Sequence, residues 1–412
     1  MQVISLFTGI GGLDFGFEAA GFETRVALEL DRHCCRALRA NRPRWEVMEG
    51  DANQMPPGIV LDVAGLRRGE ADVLIGGPPC QPFSKASYWV RGDSLRLDDP
   101  RAATLRGYLD MLRGTMPRAF LLENVGGLAF EDKNEGLRFL LDGVAAINRD
   151  LGTDYRVSWR VLNAADYGVP QLRERTFLVA SRDGREFRFP EPSHAGEAAQ
   201  VSDLWAPARD PWRTAWDALG DLPLLSKDEE EALQVRGAWG DLLPSIPEGE
   251  NYLWHTARKA GLPLFGWRTR YWSFLLKLAK RLPSWTVQAQ PGSAIGPFHW
   301  NNRRLSFPEL CRLQTFPDGL RAEAGRTETQ RMLGNAVPSL MAEVLAREIG
   351  RQLLDMPFNG PFRLMPPRRS DMPPPESVRA VPPQYHHLAG QHAAHPGTGR
   401  GAGALRRREA AE

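Results

Sequence analysis

The sequence predicts an α/β fold whose core is a parallel sheet, and two observations support this prediction. Short apolar runs alternate with helical patterns through the first half of the chain, as they do in strand–helix–strand units. Glycines follow the first and the third of these apolar runs, where a strand would turn into the next helix. The predicted strands are residues 3–7, 24–28, 73–75, 119–122, 156–162 and 176–180.

The composition is that of a globular protein. Of 412 residues, 42% are hydrophobic and 25% are charged, which is enough to bury a substantial core. No apolar run reaches about eighteen residues, so no membrane span is expected. The first residues lack the features of a signal peptide, and a cytoplasmic location is expected. The four cysteines are too few for a disulfide scaffold and include no zinc-type pair, so we expect free thiols and no metal.

The pattern changes near residue 185, where proline and tryptophan become frequent. Helical patterns return at residues 306–315 and 339–354, and after residue 356 the chain is rich in Pro, Gly and Arg. A segment of that last composition cannot bury a core of its own. We therefore expect a main domain at 1–184, a smaller domain at 185–302, a segment at 303–356 that completes the main domain, and a disordered tail at 357–412.

Between Glu250 and Glu309 the chain has no acidic residue. Aromatic residues alternate there with basic ones, and cations neutralise phosphates while aromatic rings stack on bases. The stretch therefore indicates a nucleic-acid surface, although residues 272–280 within it also predict an ordinary helix with one wet basic face and one apolar face. The basic residues are Arg258, Lys259, Arg268, Arg270, Lys277, Lys280, Arg281, Arg303 and Arg304.

Three features of residues 1–51 together predict an adenosine pocket. A glycine-rich turn follows the first strand, where backbone amides and a helix N-terminus favour anionic groups. Glu29 ends the second strand, where a carboxylate can hold two ribose hydroxyls. Asp51 follows a further likely strand, between the runs at 24–28 and 73–75, where a carboxylate can accept from an adenine amino group. Taken singly, the turn could be a plain strand–helix connection and each acid a solvated strand-end carboxylate.

The most informative segment is residues 74–84, with the sequence LIGGPPCQPFS. A short apolar strand ends in two glycines, and prolines then fix a rigid turn around Cys80. The carboxyl edge of such a sheet is where ligands bind, and a thiol held there can act as a nucleophile once it is deprotonated. The alternative is a buried inert cysteine, which would not need so constrained a turn.

Three further segments place chemistry near this turn. Glu123 lies at the end of another apolar strand, on the same sheet edge. Arg173 and Arg175 are spaced to share one face at the start of the last strand, and Asn335 precedes the final helix. Taken singly, Glu123 could be an ordinary acid at a strand end, and the two arginines could belong to a strand that forms surface ion pairs.

In these segments the sequence resembles the cytosine-C5 DNA methyltransferase family. The resemblance implies a class I methyltransferase (Rossmann-like) fold, with a mixed sheet and helices on both faces, that uses S-adenosylmethionine. It also implies a smaller target-recognition domain between the arginine segment and residue 304. The matching segments, in the family's order, are residues 7–12 (FTGIGG), 77–84 (GPPCQPFS), 123–125 (ENV), 171–175 (QLRER), 304–318 (RLSFPELCRLQTFPD) and 334–338 (GNAVP).

The resemblance also implies a role for each site residue. The Cys80 thiolate would add to C6 of a cytosine that has swung out of the duplex, beneath a lid formed by residues 84–104. Glu123 would hydrogen-bond N3 and the exocyclic amine, and Arg175, with Arg173 beside it, would bind O2 and the neighbouring phosphate. The S-adenosylmethionine pocket would be formed by Phe7, Gly9, Gly11, Gly12, Glu29, Asp51, Pro79 and Asn335.

The expected partner is double-stranded DNA, bound by a monomeric bacterial enzyme that is paired with a restriction endonuclease acting on the same site. A tRNA cytosine-C5 methyltransferase is an alternative, although the long segment between residues 185 and 303 favours a duplex-reading domain. A catalytically silent DNA-binding regulator is disfavoured because all predicted catalytic positions are intact. A nicotinamide oxidoreductase would explain the glycine turn only and leave the cysteine segment unexplained.

Overall fold

The computed structural model describes residues 1–79, 103–129, 135–197, 209–266 and 272–390. The chain divides into two compact units. Unit 1 comprises Met1–Pro223, Arg281–Gln290 and Ser306–Met372, and unit 2 comprises the described parts of Leu224–Lys280, Pro291–Leu305 and Pro373–Glu412.

Unit 1 is built on a mixed sheet of seven strands in its described residues, in the order β3-β2-β1-β4-β5-β8-β6. Neighbours from β3 to β5 pair in parallel, whereas β8 runs antiparallel to both β5 and β6. All six predicted strands are confirmed, as is the mixed Rossmann-like sheet. The strands are β1 Gln2–Leu6, β2 Glu23–Glu29, β3 Glu46–Glu49, β4 Val73–Gly76, β5 Ala119–Val125, β6 Ser158–Asn163 and β8 Glu174–Ser181, and the short strands outside this sheet are β7 Gln171–Leu172, β9 His194–Ala195, β10 Asp210–Pro211 and β11 Ser284–Trp285.

Helices cover both faces of the sheet. Along β4 the buried side chains alternate between two separate cores, because successive residues of a strand point to opposite faces. No helix in the described ranges is both long and apolar enough to cross a membrane. The helices are α1 Gly12–Ala19, α2 Arg32–Asn41, α3 Pro57–Ala64, α4 Ala103–Thr115, α5 Glu135–Leu151, α6 Ala215–Leu219, α7 Lys227–Ala232, α8 Phe307–Leu313, α9 Arg326–Asn335 and α10 Ser339–Leu353.

Two glycines on α1 allow the first and the last helix to pack unusually closely. A Cβ atom on Gly12 would lie 2.3 Å from the carbonyl oxygen of Val337, and one on Gly16 would lie 2.4 Å from the Cβ of Ala342. Larger residues at these positions would force the helices apart. The close contact brings the turn before α10 against the start of α1, although more than 300 residues separate them in the chain.

Unit 2 has little regular secondary structure in its described residues. Its core contains an aromatic cluster of Trp239, Tyr252, Phe265, Phe274 and Tyr385. The prediction of a helix at residues 272–280 is wrong, because these residues form turns and isolated bridges.

Residues 272–280 instead pair their backbone with a neighbouring segment. Phe274 forms an isolated bridge with Ile295, and Lys277 forms one with Phe298. Leu275 adopts a positive φ of 53°, which no helix interior allows. Tertiary backbone pairing thus outweighs the local helical pattern.

The domain limits differ from those expected. Unit 1 extends to Pro223 rather than ending at residue 184, and the chain returns to it first at Arg281–Gln290. That return is held by pairing of β11 with β7, in which Ser284 lies opposite Gln171. Two-residue strands of this kind leave no periodic signal in the sequence.

Residues 357–390 of the predicted disordered tail contact other parts of the chain, which differs from the prediction. The carboxylate of Glu343 in α10 accepts hydrogen bonds from the backbone amides of Arg363 and Leu364. In unit 2, Tyr385 stacks on Trp239 with ring centroids 5.8 Å apart. Apolar residues spaced among prolines can cover an existing core without forming one, which composition alone does not reveal. Residues 391–412 lie outside the described residues.

Candidate active site

The sheet topology brings the predicted site residues to one edge. The carboxyl ends of parallel β1, β2, β4 and β5 meet at the same edge, and antiparallel β8 begins there. The glycine turn, Glu29, Pro79, Glu123 and Arg175 are therefore positioned by the ends of neighbouring strands.

The glycine turn and Glu29 form one hydrogen-bonded corner. Gly9 and Gly11 have φ values of +58° and +90°, a region that glycine adopts readily, and Phe7 adopts φ 52° beside them. The Gly9 amide donates to one carboxylate oxygen of Glu29 at 2.7 Å, and the Asp31 amide donates to the other at 2.7 Å. Each of these oxygens keeps a lone pair that can accept from a hydroxyl, so the corner fits the ribose of an adenosine group.

The remaining predicted donor-site residues lie close by. The backbone amide of Gly50 donates to the Glu29 carbonyl oxygen at 2.9 Å, which ties the turn carrying Asp51 to the end of β2. The Asp51 carboxylate accepts from the Asn53 amide at 2.9 Å. Asn335 is exposed at the end of α9, in the turn that packs against α1.

One link in this corner was not predicted from the sequence. The Arg331 guanidinium, one helical turn before Asn335, forms an ion pair with the carboxylate of Asp31. Asp31 also caps α2, since its carboxylate accepts from the amides of His33 and Cys34. The pair joins α9 to the Glu29 corner across 300 residues, a separation at which one sequence gives no signal.

Glu123 and Arg175 form a buried ion pair. Their closest atoms, Oε1 and Nε, are 2.8 Å apart. In the β5–β8 register Glu123 lies opposite Phe177 and Val125 lies opposite Arg175, so the pair is diagonal on one face. Burial raises the pKa of Glu123, and the positive charges of Arg175 and Arg173 oppose that rise. The carboxyl group can therefore carry a proton more readily than an exposed glutamate.

The turn after β4 is fixed against this pair. A Cβ atom on Gly77 would lie 2.8 Å from Oε2 of Glu123, so only glycine leaves room for the carboxyl group. Asn124 donates its side-chain amide to the Pro78 carbonyl at 3.1 Å, and Thr104 donates its hydroxyl to the Pro79 carbonyl at 2.9 Å. The turn is thus positioned up to Pro79. Cys80 itself, and the predicted lid apart from its last two residues, lie outside the described residues.

Arg173 does not share the placement of Arg175. Its side chain is fully buried, and its guanidinium donates to the backbone carbonyls of Gly334 at 2.7 Å, Ala336 at 2.9 Å and Val287 at 3.2 Å. These bonds differ from the predicted contact with a base or phosphate. They hold the turn around Asn335 in place, because a guanidinium can bridge several carbonyls at once.

Three of the four cysteines have no exposed thiol. Cys34, Cys35 and Cys311 are free and buried, and burial raises the pKa of each thiol. Thiols in such surroundings stay protonated and unreactive. They are poor candidates for a nucleophile.

The basic stretch is divided between buried and exposed cations. Lys280 is buried and pairs with Glu248 and Glu376, and Lys277 is buried with its ammonium 2.6 Å from Oδ1 of Asn302. Burial lowers the pKa of Lys277 to about 8.

The other cations of the stretch differ in exposure. Arg303 is buried, whereas Arg258, Lys259 and Arg281 are exposed. Arg268 and Arg270 lie outside the described residues. Only part of the stretch can therefore contact phosphates.

Comparison with known proteins gives a family and a fold. A family model described as C-5 cytosine-specific DNA methylase matches residues 1–351. The type II methyltransferase M.SacI of Streptomyces achromogenes is 39% identical over 378 residues, which cover 86% of this chain and 93% of that protein. The type II methyltransferase M.AquIA of Picosynechococcus is 41% identical over 238 residues, covering 57% of this chain and 94% of that protein.

A solved structure matches at the level of the fold. It is that of an E. coli protein assigned as a DNA modification methyltransferase encoded within a prophage. It has a TM-score of 0.61 and 22% identity, and the match covers 86% of this chain and 99% of that one.

Proposed function

Because this chain belongs to the C-5 cytosine-specific DNA methylase family, and is a DNA cytosine-5 methyltransferase, we propose that it acts through a covalent bond between Cys80 and C6 of a flipped-out cytosine in duplex DNA. The observation that carries the proposal is the Glu123 carboxyl group, which lies between Arg175 and the turn that leads to Cys80. Addition to a pyrimidine ring requires a thiol, an acid and a cation, and the acid and the cation lie beside the turn that leads to Cys80.

Each residue has a defined part in the chemistry. C5 of cytosine is a poor nucleophile, and addition of the Cys80 thiolate to C6 moves electron density onto C5. S-adenosylmethionine, when bound, supplies the methyl group. Loss of the C5 proton and departure of the Cys80 thiolate then restore the C5–C6 double bond. The sulfur and the methyl group must approach C6 and C5 from above or below the ring plane, and neighbouring bases cover both faces in a stacked duplex, so the base must swing out.

Glu123 and Arg175 stabilise the addition. A protonated Glu123 donates to N3, where negative charge develops as sulfur attacks C6, and its raised pKa favours that form. Arg175 contacts O2 and keeps Glu123 oriented. Arg173 acts as a positioning residue for the Asn335 turn, in place of the substrate contact expected from the sequence.

The methyl donor would occupy the corner built on the glycine turn. Glu29 would accept from the ribose hydroxyls and Asp51 from the adenine amino group. Close approach of the donor to the backbone is possible because glycines line the turn. The full donor set is Phe7, Gly9, Gly11, Gly12, Glu29, Asp51, Pro79 and Asn335.

We further propose that unit 2 provides target recognition and that the enzyme is a bacterial, cytoplasmic monomer of a restriction–modification system. Relatives named as type II methyltransferases and the exposed cations of unit 2 support this. Its functional partner would be a restriction endonuclease that cuts the same DNA site when that site is unmethylated.

The covalent step is tested with Cys80→Ala and with duplex DNA that carries 5-fluorocytosine at the target. Cys80→Ala should abolish methyl transfer and retain DNA binding, whereas Cys34→Ala, at a buried thiol, should keep turnover. The fluorinated duplex should trap the wild-type enzyme, because fluorine does not leave C5 as a proton does. Undiminished turnover by Cys80→Ala, or only free protein on a denaturing gel with methyl donor present, would refute the covalent route.

The substrate is tested in parallel. Tritium transfer from labelled methyl donor should favour duplex DNA over tRNA, and bisulfite sequencing of DNA from cells expressing the chain should show methylation at one recurring site. Equal or greater transfer to tRNA would contradict the DNA assignment of the site.

A further inference from the structure

Beneath the glycine turn, a buried carboxyl group is connected to the turn through two hydroxyls. Asp14 in α1 is 0% exposed, and its Oδ2 atom lies 3.0 Å from the hydroxyl of Ser5. The Ser5 hydroxyl lies 3.0 Å from that of Thr8, which lies 3.4 Å from the carbonyl oxygen of Leu28. Leu28 directly precedes Glu29. The series of contacts therefore ends at the corner that would bind the ribose.

Counting hydrogens indicates the charge state of this network. The Thr24 hydroxyl donates to Oδ1 of Asp14 at 3.2 Å, which brings the oxygen–oxygen contacts to four. The hydroxyls of Ser5, Thr8 and Thr24 supply one hydrogen each. An ionised Asp14 supplies none and leaves one of the four contacts without a hydrogen. A protonated Asp14 supplies the fourth: it donates to Ser5, Ser5 donates to Thr8, and Thr8 donates to the Leu28 carbonyl.

The surroundings of Asp14 favour the same form. Burial raises the pKa of Asp14 to about 7 and outweighs the hydrogen bonds with Ser5, Thr24 and the backbone, which lower it; the negative charge of Glu18 on the same helix adds a small further rise. The adjoining strands β1 and β2 contribute the hydroxyls already described. Helix α10 approaches α1 with Ala342 and Glu343, and the Glu343 carboxylate is paired with Arg347. Within the described residues, no cation donates a hydrogen bond to Asp14 or shifts its pKa.

We propose that Asp14 is a positioning residue for the methyl donor: in its protonated form it sets the direction of the hydrogen bonds that hold the Thr8–Gly9 turn against the end of β2. When Asp14 ionises, Ser5 must donate to it, and the Thr8 hydroxyl turns to Ser5. The Leu28 carbonyl then keeps the Thr8 backbone amide, at 3.4 Å, and loses the Thr8 hydroxyl. The turn then loses a bond beside the Gly9–Glu29 contact, and donor affinity falls. This inference rests on the proposed function, since it concerns the proposed donor site.

The test compares the wild-type chain with Asp14→Asn, using S-adenosylhomocysteine as the probe and calorimetry from pH 6 to pH 8. An asparagine amide donates to Ser5 and accepts from Thr24 at every pH, as the protonated acid does. With a pKa of about 7, the protonated fraction of the wild type falls about tenfold over this range, so its Kd should rise, by at most about tenfold. The Kd of Asp14→Asn should lack that rise and should be lower than that of the wild type at pH 8.

The ratio of the two Kd values isolates Asp14, because titration of Glu29 and of the probe's own amino group affects both proteins alike. Asp142→Asn, on the exposed face of α5, is the matched control and should follow the wild type. Ser5→Ala interrupts the network at its second oxygen. It should raise the Kd at pH 6 and remove the part of the pH dependence that comes from Asp14, so that its pH curve runs parallel to that of Asp14→Asn. Its fold is checked by circular dichroism.

Parallel pH curves for the wild type and Asp14→Asn would overturn the inference, and so would a wild-type Kd that does not change with pH. A wild type that fails to bind the probe at any pH would instead contradict the proposed donor site itself. The two failures are therefore distinguishable.

Discussion

The sequence predicts a functional role both for the sheet edge of unit 1 and for the basic part of unit 2. The structure brings the predicted side chains together at the sheet edge but buries part of the basic stretch. At the sheet edge, Glu123 and Arg175 meet at 2.8 Å although 52 positions separate them in the chain. In unit 2, Lys277 and Lys280 stood out as part of an acid-free cationic stretch, yet both are buried and bonded within the unit.

The difference teaches which kind of sequence signal predicts a site. A charged residue at the end of an apolar strand is placed by the sheet, because parallel strands end at one edge wherever their sequence neighbours lie. A count of charges in an irregular segment says nothing about which side chains face water. Charge position relative to an element was therefore informative, and charge density was not.

The largest expected effect sharpens the first half of this comparison. Glu123→Gln keeps the shape of the side chain and its bond to Arg175 but cannot transfer a proton to N3. We expect kcat to fall by about 10²–10⁴, the usual range for loss of a general acid. Steady-state methyl transfer on duplex DNA measures this.

Glu46→Gln, at the exposed start of β3, is the control and should retain full activity. Equal kcat values for the two variants would show that a buried strand-end glutamate is no more functional than an exposed one.

The second prediction separates two arginines that the sequence treated as equivalent. Arg173→Met leaves the carbonyls of Gly334 and Ala336 without their buried donor, and each lost partner costs about 1–3 kcal/mol. We expect a loss of roughly 3 kcal/mol in the free energy of unfolding, measured by urea titration.

Arg175→Met should lower activity more than Arg173→Met does, and it should lower stability less. The reverse order would assign the substrate contact to Arg173.

The two arginines also show how far the sequence can predict this site. Their motif, and the ends of six strands, could be located from local patterns, and the strand ends place Glu29 and Glu123 on the sheet edge. The carbonyls that bind Arg173 come from turns more than 100 residues away, and one sequence does not reveal which turns pack together. The same holds for Arg331 with Asp31, and for the glycines that bring α1 against α10.

The third prediction concerns the buried cations of unit 2. Lys280→Met removes the partner of Glu248, whose side chain is 6% exposed, and of Glu376, which is half exposed. Leaving a buried carboxylate unpaired is costly, and because the second carboxylate can turn to solvent we expect a loss of about 2 kcal/mol in unfolding free energy. The salt dependence of DNA binding should stay as in the wild type. A change in that dependence would return Lys280 to the DNA-contacting surface.

The smallest expected effect tests the exposed remainder of the same stretch. Arg258 is exposed, and one cation that neutralises a phosphate contributes about one unit to the slope of log K against log salt. Arg258→Ala should therefore lower that slope by about 1 and leave the unfolding free energy within about 0.5 kcal/mol of the wild type, as surface substitutions do. Fluorescence anisotropy with duplex DNA at several salt concentrations measures the slope. Lys280→Met should therefore lower stability without changing DNA binding, and Arg258→Ala should weaken DNA binding without changing stability. The two residues carry the same charge and differ in burial. If both variants change the slope equally, burial does not separate DNA-binding cations from structural ones in this unit, and charge density alone would be the better guide.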